Sequence, residues 1–287
     1  MITSWQDILD KNTTSKPVIV GGLPRSGTTA VYRELGYLLP DKFKTEEYLN
    51  PYYKYNYDQG NIIMDTKTMV EIAKHKNVND HAVNIDELHE KIHQIEIRGG
   101  WANNFMKVLP IHLRNIGLVN RELAVEIAQT HFWILVIRRK WEECLLSNLY
   151  SNNFNKFHYY GNEQLIEEKF EGSIDKLNNF LKHFDVLPRQ IEVAIKDYAF
   201  IYKEEVETLP SVYATNTTSK QDLSSVKVPP PRNDKGKSER IIQMMTNYDQ
   251  IMDLANTWME TNLERVSNGM FYLDENKLLT VNEEYKK

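Results

Sequence analysis

The chain alternates between short apolar runs and longer segments in which apolar residues recur with helical spacing. The clearest run is Phe132–Ile137, six consecutive apolar residues of the kind carried by a parallel strand that is covered on both faces. Two other runs, 17–22 and 105–109, also predict buried strands, and helical spacing follows at 27–39 and 141–151. Because strand and helix alternate, the pattern predicts an α/β fold: a three-layer parallel sheet covered by helices.

The other predicted elements fill the segments between these runs. We expect a short helix with a tether within 1–16, and further strands at 43–49 and 191–195. Further helices are predicted at 65–76, 84–97, 120–129, 162–184, 199–208 and 238–265. The pattern predicts a single domain over 1–287, with an insertion around 50–104 between core elements and a polar, proline-containing loop at 214–237.

Composition narrows the class of protein. With 287 residues, of which 41% are hydrophobic and 26% charged, the chain can bury a full core. A net charge of −5 argues against a general nucleic-acid binder. The single cysteine, Cys144, excludes an internal disulfide and fits a reducing compartment. No run of about 18 apolar residues and no signal-peptide pattern occur, so we expect a cytoplasmic protein without a membrane span. The oligomeric state is left open.

The segment after the first strand has the layout of a phosphate-binding loop. A β-branched run leads into Gly21-Gly22-Leu23-Pro24-Arg25-Ser26-Gly27-Thr28-Thr29, and a helix follows. In such a loop, backbone N–H groups and the positive end of the helix receive an anion. The spacing from Gly22 to Gly27 matches the nucleotide-triphosphate loop, but Thr28 stands where that loop has lysine, and the cation is Arg25 instead.

A second candidate anion site follows the strand Phe132–Ile137. In a magnesium-dependent nucleotide hydrolase, this strand commonly ends in an aspartate that holds the metal shell. Here it ends in Arg138 and Arg139, which favour another phosphate. Ser147 follows on the next predicted helix. The alternative is a solvated arginine pair and an ordinary helix serine.

Two motifs resemble the sulfotransferases that use 3′-phosphoadenosine 5′-phosphosulfate (PAPS). The stretch from Pro24 to Thr29 is similar to their 5′-phosphosulfate loop. Its residues resemble most the loop of the small bacterial, phage and tyrosylprotein enzymes. The run 139–147 resembles their 3′-phosphate motif, an arginine with a serine eight positions later, although Lys140-Trp141 replaces the usual Asp/Asn-Pro. The resemblance covers about 17–50, 104–150 and 190–240.

The resemblance implies a P-loop-like fold and a PAPS-binding site. Its 5′-phosphosulfate part would consist of Arg25, Ser26, Gly27, Thr28 and Thr29. Arg139 and Ser147 would hold the 3′-phosphate, with Arg138 as the rival arginine. Lys235, in Lys235-Gly236-Lys237, is loosely similar to the family's late Arg-Lys-Gly loop. The residue that stacks on the adenine is left open.

Sulfuryl transfer needs positioning, charge stabilisation and a base that takes the acceptor's proton. Arg25 and Lys107 are expected beside the transferring group, and no metal is expected. A lysine inside an apolar strand is costly unless it meets an anion, the alternative for Lys107 being a side chain that snorkels from an edge strand. The base is either Glu47, which resembles a family glutamate after the second strand, or His112, and we favour Glu47.

The sequence therefore predicts an enzyme that moves a sulfuryl group from PAPS to a hydroxyl or amine. The acceptor, a small molecule, sugar or peptide, would be selected by the insertion around 50–104. One alternative is a P-loop kinase of nucleotides or small molecules, which requires a metal-binding carboxylate and a loop lysine. The other is a catalytically inactive protein that binds the nucleotide.

Overall fold

The structure is a computed structural model, and it describes residues 2–46, 49, 53–56, 61–64, 85–97, 99–154, 165–212 and 236–286. Within this part of the chain the strands are β1 (Val18–Gly22), β2 (Phe43–Glu46), β3 (Tyr53–Asn56), β4 (Asn61–Met64), β5 (Asn104–Lys107), β6 (Phe132–Ile137), β7 (Tyr198–Tyr202), β8 (Phe271–Leu273) and β9 (Leu279–Val281).

The helices surround a central sheet. They are α1 (Trp5–Asp10), α2 (Thr28–Leu38), α3 (Ile85–Ile97), α4 (Pro110–Val119), α5 (Arg121–Thr130), α6 (Trp141–Phe154), α7 (Ile174–Leu181), α8 (His183–Val193), α9 (Lys203–Val206), α10 (Lys237–Met244) and α11 (Tyr248–Val266). Among the described helices, none is long and apolar enough to cross a membrane.

Five of the described strands form one parallel sheet, in the order β2-β5-β1-β6-β7. Strands β2 and β5, which follow β1 in the chain, lie on one side of β1, and the later strands β6 and β7 lie on its other side. The crevice at the carboxyl ends of β1 and β6 is therefore a topological switch point, the place where open α/β sheets bind ligands. The pairs β3–β4 and β8–β9 are separate antiparallel hairpins.

Alternate residues of the strands pack on opposite faces of the sheet. Ile19 of β1 and Leu135 of β6 belong to the larger apolar cluster, which includes buried residues of α4 to α8, α10 and α11. Val20 and Val136 belong to the smaller cluster, which includes buried residues of α1 and α2. This arrangement confirms the α/β fold with a parallel sheet between two helical layers.

The sequence prediction was wrong in part between 165 and 208, although α7 and α9 do lie within the predicted helices 162–184 and 199–208. The segment 165–173 is not helical, and the predicted strand at 191–195 begins inside α8. The strand is Tyr198–Tyr202, which begins one residue before the predicted helix 199–208 and overlaps its first turn, and it pairs with β6. Short apolar runs fit a strand or a buried helix equally well, and here pairing with β6 decides between them.

Smaller differences occur elsewhere. Pro110, directly after the predicted strand 105–109, occupies the first turn of a helix that was not predicted, α4, where its missing N–H costs nothing. The predicted helix 238–265 is divided into α10 and α11, and the β8–β9 hairpin was not predicted. The predicted helix at 65–76 lies outside the described residues.

Candidate functional site

The loop that joins β1 to α2 has an unusual backbone. Gly22, Arg25 and Gly27 all have positive φ, at 143°, 63° and 92°. A Cβ on Gly22 would collide with the carbonyl oxygen of Val136, so glycine is required where β1 passes beside β6. Gly27 is the N-cap of α2 and has no side chain with which to cap the helix. The first-turn N–H groups of α2 are therefore suited to an anion.

Ser26 holds this loop onto the sheet. Its side chain is fully buried, and its Oγ lies 2.6 Å from Leu23 O and 2.8 Å from Val136 O, to either of which its proton can be donated. Its backbone N–H donates to Leu23 O at 3.3 Å. Ser26 was predicted to bind PAPS, but its hydroxyl and its backbone N–H both form hydrogen bonds within the protein.

The second predicted motif meets the loop through Ser147. Arg25 Nε donates to Ser147 Oγ at 3.1 Å, across 122 residues of chain. One turn earlier on α6, the Cys144 thiol donates to Arg25 O at 3.6 Å. Burial raises the pKa of Cys144 to about 11, so it is a packed thiol rather than a nucleophile. The face of α6 that carries residues 144 and 147 therefore lies against the loop.

Arg139, the other half of the predicted 3′-phosphate pair, contacts a different element. Its Nη2 donates to Asp274 Oδ2, next to β8, and its guanidinium lies 5.5 Å from the ring centroid of Tyr202. The Arg139 backbone N–H donates to Glu204 at 3.0 Å. Its Nε is buried and has no hydrogen-bond acceptor among the described residues. The predicted rival, Arg138, forms an ion pair with Glu143.

Lys107 is the last residue of β5. The sequence left two alternatives for it, contact with an anion or a side chain that snorkels from an edge strand, and its position rejects the second. Strand β5 lies between β2 and β1, and Lys107 is only 1% exposed, so this side chain does not snorkel from an edge strand. Its Nζ donates to Thr29 Oγ1, on the first turn of α2. Thr28, beside it, is 6% exposed. A buried cation therefore lies at the start of the helix that follows the loop.

Of the two candidate bases, only His112 lies among the described residues. Glu47 lies outside the described residues, but the register of β2 places Glu46 opposite Lys107. His112 is buried in the first turn of α4. Burial lowers the pKa of His183 on α8 to about 4, with a smaller contribution from His112.

Lys203 was not predicted as a site residue, and the structure brings it to the loop. It follows β7 directly, and a Cβ on Gly27 would lie 2.7 Å from its Cδ and 2.8 Å from its Cε. Its side chain is 15% exposed, and its ammonium forms an ion pair with Glu207. A cation directly after an apolar strand was the available signal, hidden because this strand had been interpreted as a helix.

The late basic segment is partly described. Lys235 lies outside the described residues, but Gly236 is the N-cap of α10, with φ 83°. Lys237 Nζ lies 5.9 Å from the ring centroid of Tyr150, one turn beyond Ser147 on α6. The segment that resembles the Arg-Lys-Gly loop therefore ends beside the helix that carries Ser147.

Two further features concern ligands. Within the described residues, no group of three His, Cys, Asp or Glu side chains is arranged to hold a metal ion. A cavity of about 850 Å³ lies elsewhere, between α7, α8 and α11, and its lining includes Lys182, Arg189, Trp258 and Arg265 but none of the predicted site residues.

No protein-family model matches this chain, and no curated protein matches it. The case for a function therefore depends on the residues that the fold brings together.

Proposed function

We propose that this protein is a sulfotransferase that moves the sulfuryl group of PAPS to a hydroxyl or amine of an acceptor. The observation that carries the proposal is the hydrogen bond from Arg25 to Ser147. It joins the loop after β1 to the helix after β6 at the topological switch point of the sheet, where α/β proteins bind nucleotides. Both parts of the resemblance to sulfotransferases thus meet at one crevice.

The donor set suits an anionic nucleotide. The loop offers the first-turn N–H groups of α2 together with the guanidinium of Arg25, the hydroxyl of Thr29 and the buried ammonium of Lys107. These groups would hold the 5′-phosphosulfate, and Ser147 would contact the 3′-phosphate. Arg139 still has an Nε donor without an acceptor among the described residues, which fits a part in binding the same phosphate.

The chemistry asks little more of the chain. PAPS supplies an activated sulfuryl group when bound. Cations that are fixed before the reaction stabilise charge without reorganising, and Lys107, held by Thr29 at the start of α2, is such a cation. Glu47 would take the proton of the acceptor, because it directly follows β2, which ends in register with Lys107 at the same edge of the sheet. His112, buried beside α8, is the second candidate.

The rival proposal is a phosphate-loop kinase. It expects a lysine at the position of Thr28 and an acidic residue at the end of β6, where this chain has Arg138 and Arg139. A protein that binds the nucleotide without turnover is the third possibility, because Lys140 and Trp141 alter the second motif and the chain offers two candidate bases, Glu47 and His112.

Calorimetric titration with adenosine 3′,5′-bisphosphate, without magnesium, tests the proposal. We expect wild type to bind and Arg25→Gln to lose more than about 2 kcal/mol, roughly 30-fold in affinity, because a charge-assisted hydrogen bond is lost. Arg189→Gln is the matched control, because Arg189 is exposed and pairs with Asp185 on a distant helix. Release of the bisphosphate from PAPS with an acceptor library then separates an enzyme from a binding protein.

Two results would overturn the proposal. Magnesium-dependent binding of ATP without binding of the bisphosphate favours the kinase. Bisphosphate binding that Arg25→Gln and Ser147→Ala both leave unchanged places the nucleotide elsewhere.

A further inference from the structure

Lys203 comes from the far side of the crevice, at the carboxyl end of β7, and its side chain crosses to the loop after β1. Its Cδ and Cε occupy the space beside Gly27, where a Cβ would lie 2.7 Å and 2.8 Å from them. The aliphatic stem is therefore packed on the backbone of the N-cap of α2, and the side chain is only 15% exposed. This contact fixes where the ammonium can go.

That location is electrostatically unfavourable for a lysine. The N-terminus of α2 carries partial positive charge from its aligned peptide dipoles, which stabilises anions and opposes cations. Arg25, Arg138 and Glu204 lie in the same region, since all three and Lys203 act on the pKa of the buried Cys144 thiol. Arg138 is paired with Glu143, and Glu204 accepts from the backbone N–H of Arg139. The counter-charge for Lys203 is Glu207, the C-cap of α9, with a side chain that is 35% exposed.

We propose that Lys203 is an anion-binding residue of this loop, and that Glu207 is its counter-ion only until a ligand is bound. A partly exposed carboxylate holds an ammonium weakly, because water screens the pair. A phosphosulfate or pyrophosphate at the N-terminus of α2 carries at least two negative charges, more than one carboxylate, and is also attracted by the helix. Lys203 then leaves Glu207 for the ligand. The inference depends on the proposed function for the identity of the anion but not for its presence.

Isothermal titration at pH 7 with inorganic pyrophosphate, and separately with adenosine 3′,5′-bisphosphate, tests this inference. Lys203→Met keeps the aliphatic stem over Gly27 and removes the charge, and we expect it to weaken pyrophosphate binding by about tenfold or more. Glu207→Gln removes the competing carboxylate, and we expect it to tighten binding about threefold. Lys277→Met and Glu260→Gln alter an exposed ion pair between the turn of the β8–β9 hairpin and α11, and they serve as matched controls.

The outcomes separate this inference from the proposed function. Pyrophosphate binding that depends on Lys203, with no binding of the bisphosphate, rejects the sulfotransferase and leaves this inference standing. Bisphosphate and pyrophosphate binding that Lys203→Met leaves unchanged rejects the inference and leaves the proposed function standing. If wild type binds neither anion, both fail. If Lys203→Met does not fold, the direction of the Glu207→Gln change decides.

Discussion

Arg139 Nη2 donates to Asp274 Oδ2 at 2.5 Å, which joins the end of β6 to the C-terminal hairpin. The hairpin is attached at the same place through its backbone, since the Leu279 N–H donates to Arg139 O at 2.8 Å. Arg139, which we propose for the 3′-phosphate, therefore also anchors the last two strands. Changing Asp274 instead of Arg139 tests the anchoring of the hairpin alone and leaves the proposed phosphate-binding side chain in place.

Replacing Asp274 by asparagine should destabilise the protein in a pH-dependent way. The Leu278 and Asn276 N–H groups and Arg139 hold the pKa of Asp274 below its usual value. A lowered carboxyl pKa stabilises the fold above the unfolded-state pKa of about 3.9, and this contribution is lost as pH falls through the lower folded value. Thermal melts from pH 7 to pH 2.5 should show a higher melting temperature for wild type than for Asp274→Asn. The difference between the two melting temperatures should shrink below about pH 4. A difference that stays constant contradicts this account.

The two serines of the site should separate stability from binding. Ser26→Ala removes a buried hydroxyl from Leu23 O and Val136 O, so we expect the free energy of unfolding to fall by about 1–3 kcal/mol. Ser147→Ala should change that free energy by less than about 0.5 kcal/mol, since the residue is half-buried, while weakening bisphosphate binding. Urea unfolding and calorimetry on both variants provide the comparison. Equal destabilisation would mean that Ser147 is structural.

Gly22 should be required for folding for two reasons: its positive φ and the close approach of its Cα to the backbone of Val136. Gly22→Ala would press a Cβ onto the backbone of Val136, which cannot move without breaking the pairing of β1 with β6. Gly269→Ala is the control, because Gly269 has φ 75° but a Cβ there would have no atom within 4 Å. We expect the control to lose about 1–2 kcal/mol and Gly22→Ala to lose more than about 4 kcal/mol, measured by urea unfolding. Similar losses would reject the close approach as the cause.

Buried His131 should make the protein less stable in mild acid. The side chain is fully buried, its Nδ1 lies 2.9 Å from Ile127 O, and burial lowers its pKa from 6.5 to about 4. Between these values the unfolded chain binds more protons than the folded one, so stability falls as pH drops from about 6.5 to about 4, by up to about 3 kcal/mol.

His131→Asn provides the comparison, because an asparagine amide can still donate to Ile127 O but does not titrate. Urea unfolding at pH 7, 6, 5 and 4 should show a shallower loss of stability for the variant than for wild type. Parallel pH profiles would mean that other groups cause the loss.

Local patterns in the sequence were enough for much of the fold. Six apolar residues predicted β6 with the same bounds that the structure shows, because a strand buried on both faces has no polar position to obscure it. The loop after β1 was also predicted, since its glycines and threonines determine the local backbone at the start of α2. Glu47 and Lys235 stay predictions, because they lie outside the described residues.

The partners of the site's cations depended on tertiary structure. No local pattern predicts that Arg139 pairs with Asp274, 135 residues later, or that Lys203 lies across Gly27. The position of Lys203 requires the correct strand at 198–202, and a short apolar run becomes a strand only when a neighbour such as β6 is there to pair with it. The sequence determined which groups could bind an anion, through local backbone preference and charge. Strand order and packing decided which of them meet, because parallel strands bring distant segments to one edge of a sheet.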